Sequence, residues 1–483
     1  MSIKRNTIYN AINTIAGILF PLIVFPYTSR VLQPENIGKV SFATSYVAYF
    51  ALIATLGIRT YAIRECSAVR YNKPLLESTA SQIFTINVYT TVLASILLGA
   101  TLALFRVLDD YRVLIIISSI PMFLTALGAD WLNFAMEDFR YITLRTVGFQ
   151  ILSLIALFVF VRSKADYVAY AIIAVVSSAG ANILNVGYRR KFCKIRVVKQ
   201  TDFKRHMPPV LLLFSMLISQ QILTTTDVTM LGLMRTNQEV GIYSTALKIS
   251  TIVSQLVFSI LWVLLPRLSK QFSEGLESER NVLLRKALGF LWGFGLPCAI
   301  GVMLVGKDVI LIIAGHEYLE AAPILILLMV GFIFDLLGGG FIGNLIMLPS
   351  KKEHYFLIAC VIAAVANAVL NYIFIPLYGM AAAAVATAIS RIIVMVVLLL
   401  TFDRSIKIQN LPSVLLPPVL GSVAMFGVYL AIQSLGLPYW VNLAAIIALS
   451  VVTYGLVLRL FQYEVYMQME TQLIARLKKM LTK

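Results

Sequence analysis

The chain has 483 residues, of which 59% are hydrophobic and only 13% charged, with a mean hydropathy of +0.87. A soluble chain carries about 25% charged residues, so this composition excludes an ordinary water-soluble domain. Apolar stretches long enough to span a bilayer recur from one end to the other, which predicts an all-α polytopic membrane protein.

Fourteen spans are expected in chain order, near 9–31, 40–58, 80–105, 112–135, 145–161, 166–188, 208–231, 241–265, 287–305, 322–346, 354–376, 379–401, 413–434 and 439–460. The first run is too long for a signal-peptide core and no small-residue cleavage site follows it, so no cleaved leader is expected. Cys66, Cys193, Cys298 and Cys360 have no pairing or metal spacing, and His206, His316 and His354 stand far apart. Neither a disulfide framework nor a metal site follows from them.

Lys and Arg set the orientation. With the termini inside, inner segments hold 30 of the 40 basic residues and outer loops hold 8. Lys248 and Arg391 lie within spans. Both termini are therefore expected in the cytoplasm, in an integral cytoplasmic (inner) membrane protein. The net charge of +17 then reads as topology signal and contact with anionic membrane lipids rather than nucleic-acid binding.

The longest inner loop, Arg189 to Met207, is strongly basic and falls near the middle of the chain. A division follows: an N-terminal six-helix lobe (1–190), a basic cytoplasmic linker (191–207) and a C-terminal six-helix lobe (208–403). Two extra helices with a basic cytoplasmic tail (404–483) complete it. Internal repetition supports the halves. Ile37-Gly38-Lys39-Val40-Ser41-Phe42-Ala43 opens span two, and Val240-Gly241-Ile242-Tyr243-Ser244-Thr245-Ala246 opens span eight, with Gly, Ser and Ala in register at an offset of 203. Six helices per unit keep one orientation, so spans 1–6 and 7–12 would be related by a pseudo-two-fold axis along the membrane normal.

Several stretches resemble a known family. They are Phe25-Pro26-Tyr27-Thr28-Ser29-Arg30-Val31-Leu32 with Gly38, Leu56-Gly57-Ile58-Arg59 with Ile63-Arg64-Glu65, and Asp130-Trp131 before Glu137. Asp227 to Gly232 follows with Gly241, Tyr243 and Lys248, then Gly315 with Tyr318, Ala321 and Ala322, then Pro376-Leu377-Tyr378-Gly379. In this order they resemble the Wzx-type flippases of lipid-linked oligosaccharides, within the MOP superfamily that also holds lipid II flippases and MATE exporters. The resemblance implies two six-helix lobes around a central cavity that alternates between membrane faces, and transport with no bond made or broken. It also implies that arginines on the first two helices face the cavity, and that spans 13 and 14 border a groove for the lipid tail.

Charge at membrane depth costs about 2.5–3.5 kcal/mol on insertion scales, so each such residue needs a reason. Arg391 and Asp335 lie about 18 Å into spans twelve and ten at the helical rise of about 1.5 Å per residue. They form either a structural pair or a headgroup-facing arginine with a carboxylate that holds it or takes up a coupling proton. Asp227 and Lys248, near the outer end of the hairpin Thr224 to Ser250, allow the same two readings. Arg30 and Arg59 sit at span ends, where snorkelling competes with a cavity role, and Asp130 lies beside the interfacial Trp131. Gly338-Gly339-Gly340 with Gly343 suits either a bending element or close helix packing.

The expected substrate is an undecaprenyl-pyrophosphate-linked oligosaccharide of O-antigen, capsule or exopolysaccharide type, moved from the cytoplasmic to the outer leaflet. Arg30, Arg59, Lys248 and Arg391 are the candidate headgroup ligands. Asp130, Asp227 and Asp335 are candidate charge partners or sites of H+ or Na+ coupling, with no other cofactor. A polysaccharide polymerase and glycosyltransferases of the same pathway are the expected protein partners. A lipid II or teichoic-acid precursor flippase is the alternative. A MATE-type cation or drug antiporter would want an acidic cavity, and a membrane polymerase a long outer loop.

Overall fold

The computed structural model describes residues 3–403 and 406–481. Among the described residues every regular element is helical. Two compact units form, Met1–Ser244 with Ile313–Glu317, and Thr245–Ile312 with Tyr318–Lys483. The division thus falls after the basic segment 191–207, inside the helix that follows the next span.

The first unit begins with α1 (Ile3–Thr55), a helical run broken at Gln33, whose φ of 64° is left-handed. Pro34 disfavours the helical conformation at the residue before it, which places the break. The loop expected between spans one and two is therefore a one-residue kink. After it come α2 (Ile58–Ala68), α3 (Lys73–Leu104), α4 (Arg112–Gly128), the short α5 (Trp131–Ala135) and α6 (Phe139–Phe160). Next are α7 (Tyr167–Val175), α8 (Ala181–Tyr188), α9 (Phe203–Met234) and the first part of α10 (Asn237–Phe258). A π-helical turn, Val176–Gly180, joins α7 to α8. Polar caps start the longer helices: Asn72 accepts the Leu75 N–H at 3.2 Å and Asp202 accepts that of Arg205 at 3.1 Å, each satisfying an orphan donor of the first turn.

The repeated motif has a packing explanation inside this unit. A Cβ added at Gly38 would lie 1.8 Å from the Asn237 carbonyl oxygen, and one at Gly241 would lie 1.9 Å from that of Pro34. Each glycine therefore faces the residue four positions before the other. Backbones approach this closely only where no side chain intervenes.

The basic segment is strapped along α3. Backbone N–H groups of Arg196, Val198 and Asp202 donate to Ser81 Oγ, Thr85 Oγ1 and Gln82 Oε1 at 3.4, 3.0 and 3.1 Å. At its end His206 is buried. Its Nδ1 lies 2.7 Å from the Tyr61 hydroxyl and its Nε2 3.3 Å from Gln82 Oε1. Because Gln82 Oε1 only accepts, Nε2 carries the proton and Tyr61 donates to Nδ1.

The second unit continues α10 into α11 (Leu261–Ser273), α12 (Glu277–Leu304) and α13 (Gly306–Ile313). Then come α14 (Ala321–Asp335), a π-helical segment Leu336–Met347, α15 (Glu353–Tyr378) and α16 (Met380–Leu400). The chain ends with α17 (Leu411–Gln433), α18 (Tyr439–Leu460) and α19 (Glu464–Leu481). A Cβ at Gly331 would stand 3.0 Å from Ala388 Cα and one at Gly338 2.9 Å from Met395 Cα. Gly331 and Gly338 thus let α14 and the π segment pack closely on α16, while a Cβ at Gly340 would meet the ring of Phe258 and one at Gly343 that of Phe356. The extra helices α17 and α18 are tied to α12. Trp292 Nε1 donates to the Leu415 carbonyl at 3.1 Å, and the Tyr454 hydroxyl donates to that of Gly293 at 2.6 Å.

Twelve helical stretches among the described residues are long and apolar enough to cross a membrane. The first, Ala11–Ala68, carries expected spans one and two together. The expected seventh span lies in the 32-residue α9, which is not among the twelve. The all-α membrane architecture stands, and these twelve stretches do not by themselves fix the number of spans.

Candidate functional site

Arg391, on α16, and Asp335, at the end of α14, meet as an ion pair. Arg391 NH1 donates to Asp335 Oδ2 at 2.8 Å, with side chains 30% and 10% exposed. The π segment begins at the next residue, and a Cβ at Gly339 would lie 2.5 Å from Asp335 Oδ1. The carboxylate therefore folds over its own helix at Gly339 and aims its other oxygen at α16. Asn344 Nδ2 donates to the Gly339 carbonyl at 2.7 Å, satisfying a backbone group in the widened turn. This pairing of spans ten and twelve is common to both readings that their depth suggested, a structural pair and an arginine held by the carboxylate.

In the first unit, Asp227 is buried and accepts the Tyr243 hydroxyl at 2.6 Å. Its neighbours bind into α1: Tyr49 donates to Thr226 Oγ1 at 3.2 Å and Thr229 donates to Ser45 Oγ at 3.1 Å. The threonine-rich run before and after Asp227 is thus an inter-helix polar seam. Tyr243 was part of the motif but not singled out as a partner. Lys248 is half-buried on the part of α10 that belongs to the second unit.

Arg30 is exposed on α1. It lies by the turn at Gly315, where an added Cβ would be 3.6 Å from Arg30 Cγ. Arg59 is exposed at the start of α2, its guanidinium 4.6 Å above the Phe134 ring and its NH2 3.8 Å from Asp130 Oδ2. Asp130 thus has a defined partner besides its place beside Trp131. Arg145, one of the inner basic residues in the orientation tally, is buried on α6, where its NH1 donates to the Ala181 carbonyl of α8 at 3.4 Å. The signal for it was present: it stands one turn and more inside an apolar helix that begins at Phe139.

In the second unit, an apolar groove of about 300 Å³ runs among α10, α12, α17 and α18, lined by Val257, Cys298, Gly301, Met425, Ile447 and Val451. No cluster of three or more His, Cys, Asp or Glu among the described residues has the arrangement to hold a metal ion.

Residues 3–272 match the family described as polysaccharide biosynthesis protein. The chain belongs to that family. A protein named as an O-antigen transporter of Shigella dysenteriae is 25% identical over 312 residues, 63% of this chain and 76% of the relative. The capsular polysaccharide biosynthesis protein CapF of Staphylococcus aureus is 23% identical over 410 residues, 81% of this chain and 97% of the relative. Among solved structures, the lipid II flippase MurJ in an inward closed conformation superposes with a TM-score of 0.73 at 15% identity, covering 94% of this chain and 99% of that one. This member of the polysaccharide biosynthesis family has the fold of that transporter.

Proposed function

We propose that the protein is a flippase that moves undecaprenyl-pyrophosphate-linked oligosaccharide repeat units from the cytoplasmic to the outer leaflet. The observation that carries this reading is the flippase fold over 94% of the chain, joined to relatives named for O-antigen and capsule. The bilayer resists the charged, hydrated headgroup far more than the prenyl tail, so the carrier need shelter only the head.

The residues supply a means. Guanidinium groups are matched to phosphate by charge and by donor geometry, and Arg30, Arg59 and Arg391 supply them, with Lys248 as a further cation. The groove beside α17 and α18 is apolar and suits a segment of the tail. Transport proceeds by alternating access of two six-helix lobes, with both termini in the cytoplasm. An inside-negative potential favours outward movement of an anionic head by about 2.3 kcal/mol per charge per 100 mV. Proton or sodium exchange through Asp335 or Asp227 resets the empty carrier. A polymerase and glycosyltransferases of the same pathway act on either side of the step.

The test is to deplete the protein and follow the lipid-linked repeat unit with leaflet-specific labelling. Accumulation on the cytoplasmic side is the expected result. Normal arrival outside, with polymer then failing to form, would assign the protein to polymerisation instead. A lipid II or teichoic-acid precursor accumulating in place of the repeat unit would identify the alternative cargo.

A further inference from the structure

Between α3 and the basic segment strapped along it lies a polar pocket of about 550 Å³, and no step of the proposed transport uses it. Glu77, Ser78, Ser81 and Gln82 line it from the first turns of α3, and Arg196 and Lys199 line it from the segment. The wall on α3 is largely committed. Ser81 Oγ and Gln82 Oε1 accept backbone N–H groups of the segment, and Gln82 Nε2 donates to Ser78 Oγ at 3.4 Å. The cations are more open. Lys199 is exposed. Arg196 is 74% exposed and meets Glu77 only loosely, NH2 to Oε1 at 3.7 Å. A guanidinium carries five N–H donors in a fixed fork, so one loose pair leaves most of them available.

The depth of the pocket follows from its helix. α3 is long and apolar enough to cross a membrane. Tyr89, on α3, stacks on Phe203, the first residue of α9, with ring centres 6.4 Å apart. Both rings are about half exposed, at 51% and 44%, as suits aromatic side chains at a membrane interface. Gln82 precedes Tyr89 by two turns of helix, about 10 Å at the helical rise of about 1.5 Å per residue. The pocket therefore sits at the level of lipid phosphates rather than of acyl chains. On the same face of α3, beyond Tyr89, stand the exposed side chains of Val92, Leu93 and Ile96. One helix face thus offers a polar recess, an aromatic and an apolar stripe in succession.

Charge narrows the occupant further. Arg196 and Lys199 outnumber Glu77 by one positive charge, which matches a headgroup whose single phosphodiester is not cancelled by an ammonium. We propose that the pocket binds one anionic phospholipid, its phosphate held by Arg196 and Lys199 and its chains laid along Tyr89, Val92, Leu93 and Ile96. The phosphate accepts charge-assisted hydrogen bonds from both cations, and Glu77 accepts from headgroup hydroxyls. A soluble sugar or phosphate would use the recess and leave the apolar stripe bare. The bound lipid ties the basic segment to α3 from the open side, opposite the backbone bonds that already hold it.

Binding is read without transport, so the result is independent of what the protein carries. Native mass spectrometry of the purified full-length protein counts bound lipid as phosphatidylglycerol is added. One lipid should bind ahead of the rest, and phosphatidylcholine with the same chains should bind at least ten-fold more weakly. Arg196→Gln with Lys199→Gln should weaken that first step about ten-fold, a modest loss for two exposed contacts. Lys194→Gln with Lys204→Gln removes the same charge from exposed positions outside the pocket and should stay within about two-fold of wild type. Ser78→Trp fills the recess without changing charge and should weaken the step as the first pair does. Equal weakening by the two lysine and arginine pairs, a Ser78→Trp variant that binds like wild type, or equal binding of phosphatidylcholine overturns the proposal. So does glycerophosphoglycerol, the headgroup alone, if it binds as tightly as the lipid, because the ligand is then a soluble one. Should Ser78→Trp fail to fold, the comparison of the two charge pairs decides.

Discussion

The two units each hold an arginine–aspartate pair, and the two pairs are built to opposite specifications. Asp335 and Arg391 are drawn together at 2.8 Å with the carboxylate 10% exposed, whereas Asp130 and Arg59 stand 3.8 Å apart with the guanidinium 57% exposed. The difference lies in what surrounds the carboxylate. Asp335 has a glycine beneath it and one guanidinium in hydrogen-bond contact; Asp130 sits on the left-handed turn at Ala129 and meets Arg59 only at 3.8 Å. The same two residue types make a clasp in one place and an accessible cation in the other. Distance and burial decide which, and composition does not.

The largest effect should come from opening the clasp. Arg391→Ala leaves a buried carboxylate alone, and the cost should be about 3 kcal/mol, the low end for a broken buried pair because Arg391 is itself partly exposed. Thermal unfolding of the purified protein measures it. Adding Asp335→Ala should recover the stability, and transport should stay lost if Arg391 also meets the headgroup. Recovery of transport in the double variant would make the residue a structural partner alone.

Gly339→Ala attacks the same clasp from below. The new methyl would press on Asp335 Oδ1, turning the carboxylate from Arg391 at a cost of about 1 kcal/mol. Gly99→Ala is the control, because a Cβ there meets nothing within 4 Å. Equal melting temperatures for the two variants would show that the carboxylate is free to move without loss.

A pH-dependent effect separates the first unit's internal network from its exposed pair. Burial, and then the neighbouring Arg205 charge, hold the His206 imidazole below its ordinary value of 6.5. The unfolded chain therefore binds the proton more readily than the folded one. The stabilisation is fully present above pH 6.5 and fades as pH falls through the lowered folded value. Unfolding followed from pH 7.5 to 5 should show this slope, and His206→Asn should flatten it. Arg59→Ala should have the smallest effect on stability, about 0.5 kcal/mol or less, while lowering transport. Large destabilisation by Arg59→Ala would erase the contrast between the two pairs.

The helical class was legible because bilayer length and backbone satisfaction leave few alternatives. The Asp335–Arg391 pair was legible too, since equal depth in two spans brings a costly charge to its opposite. Span separation was less so. Pro34 marks the break at Gln33, but nothing in the residues reveals that one residue, rather than a loop, suffices to turn the chain. Arg145 escaped because a basic residue near a helix start satisfies the orientation tally whether it is buried or wet. Asp227 offered two polar partners on the following helix, and a charge tally favours Lys248 and passes over the hydroxyl of Tyr243, which donates to it within the first unit. Neutral donors leave no trace in such a count.

The contact between Gly38 and Gly241 has a consequence for inheritance. Since each backbone occupies the space where the other's side chain would begin, the two codons guard one surface. A methyl added at either position would wedge the same seam. Once the seam is wedged, the second methyl meets a gap already opened, so Gly38→Ala and Gly241→Ala together should cost little more than the worse of the two. Positions 203 residues apart would then drift as a single locus, each tolerant of change only after the other has yielded.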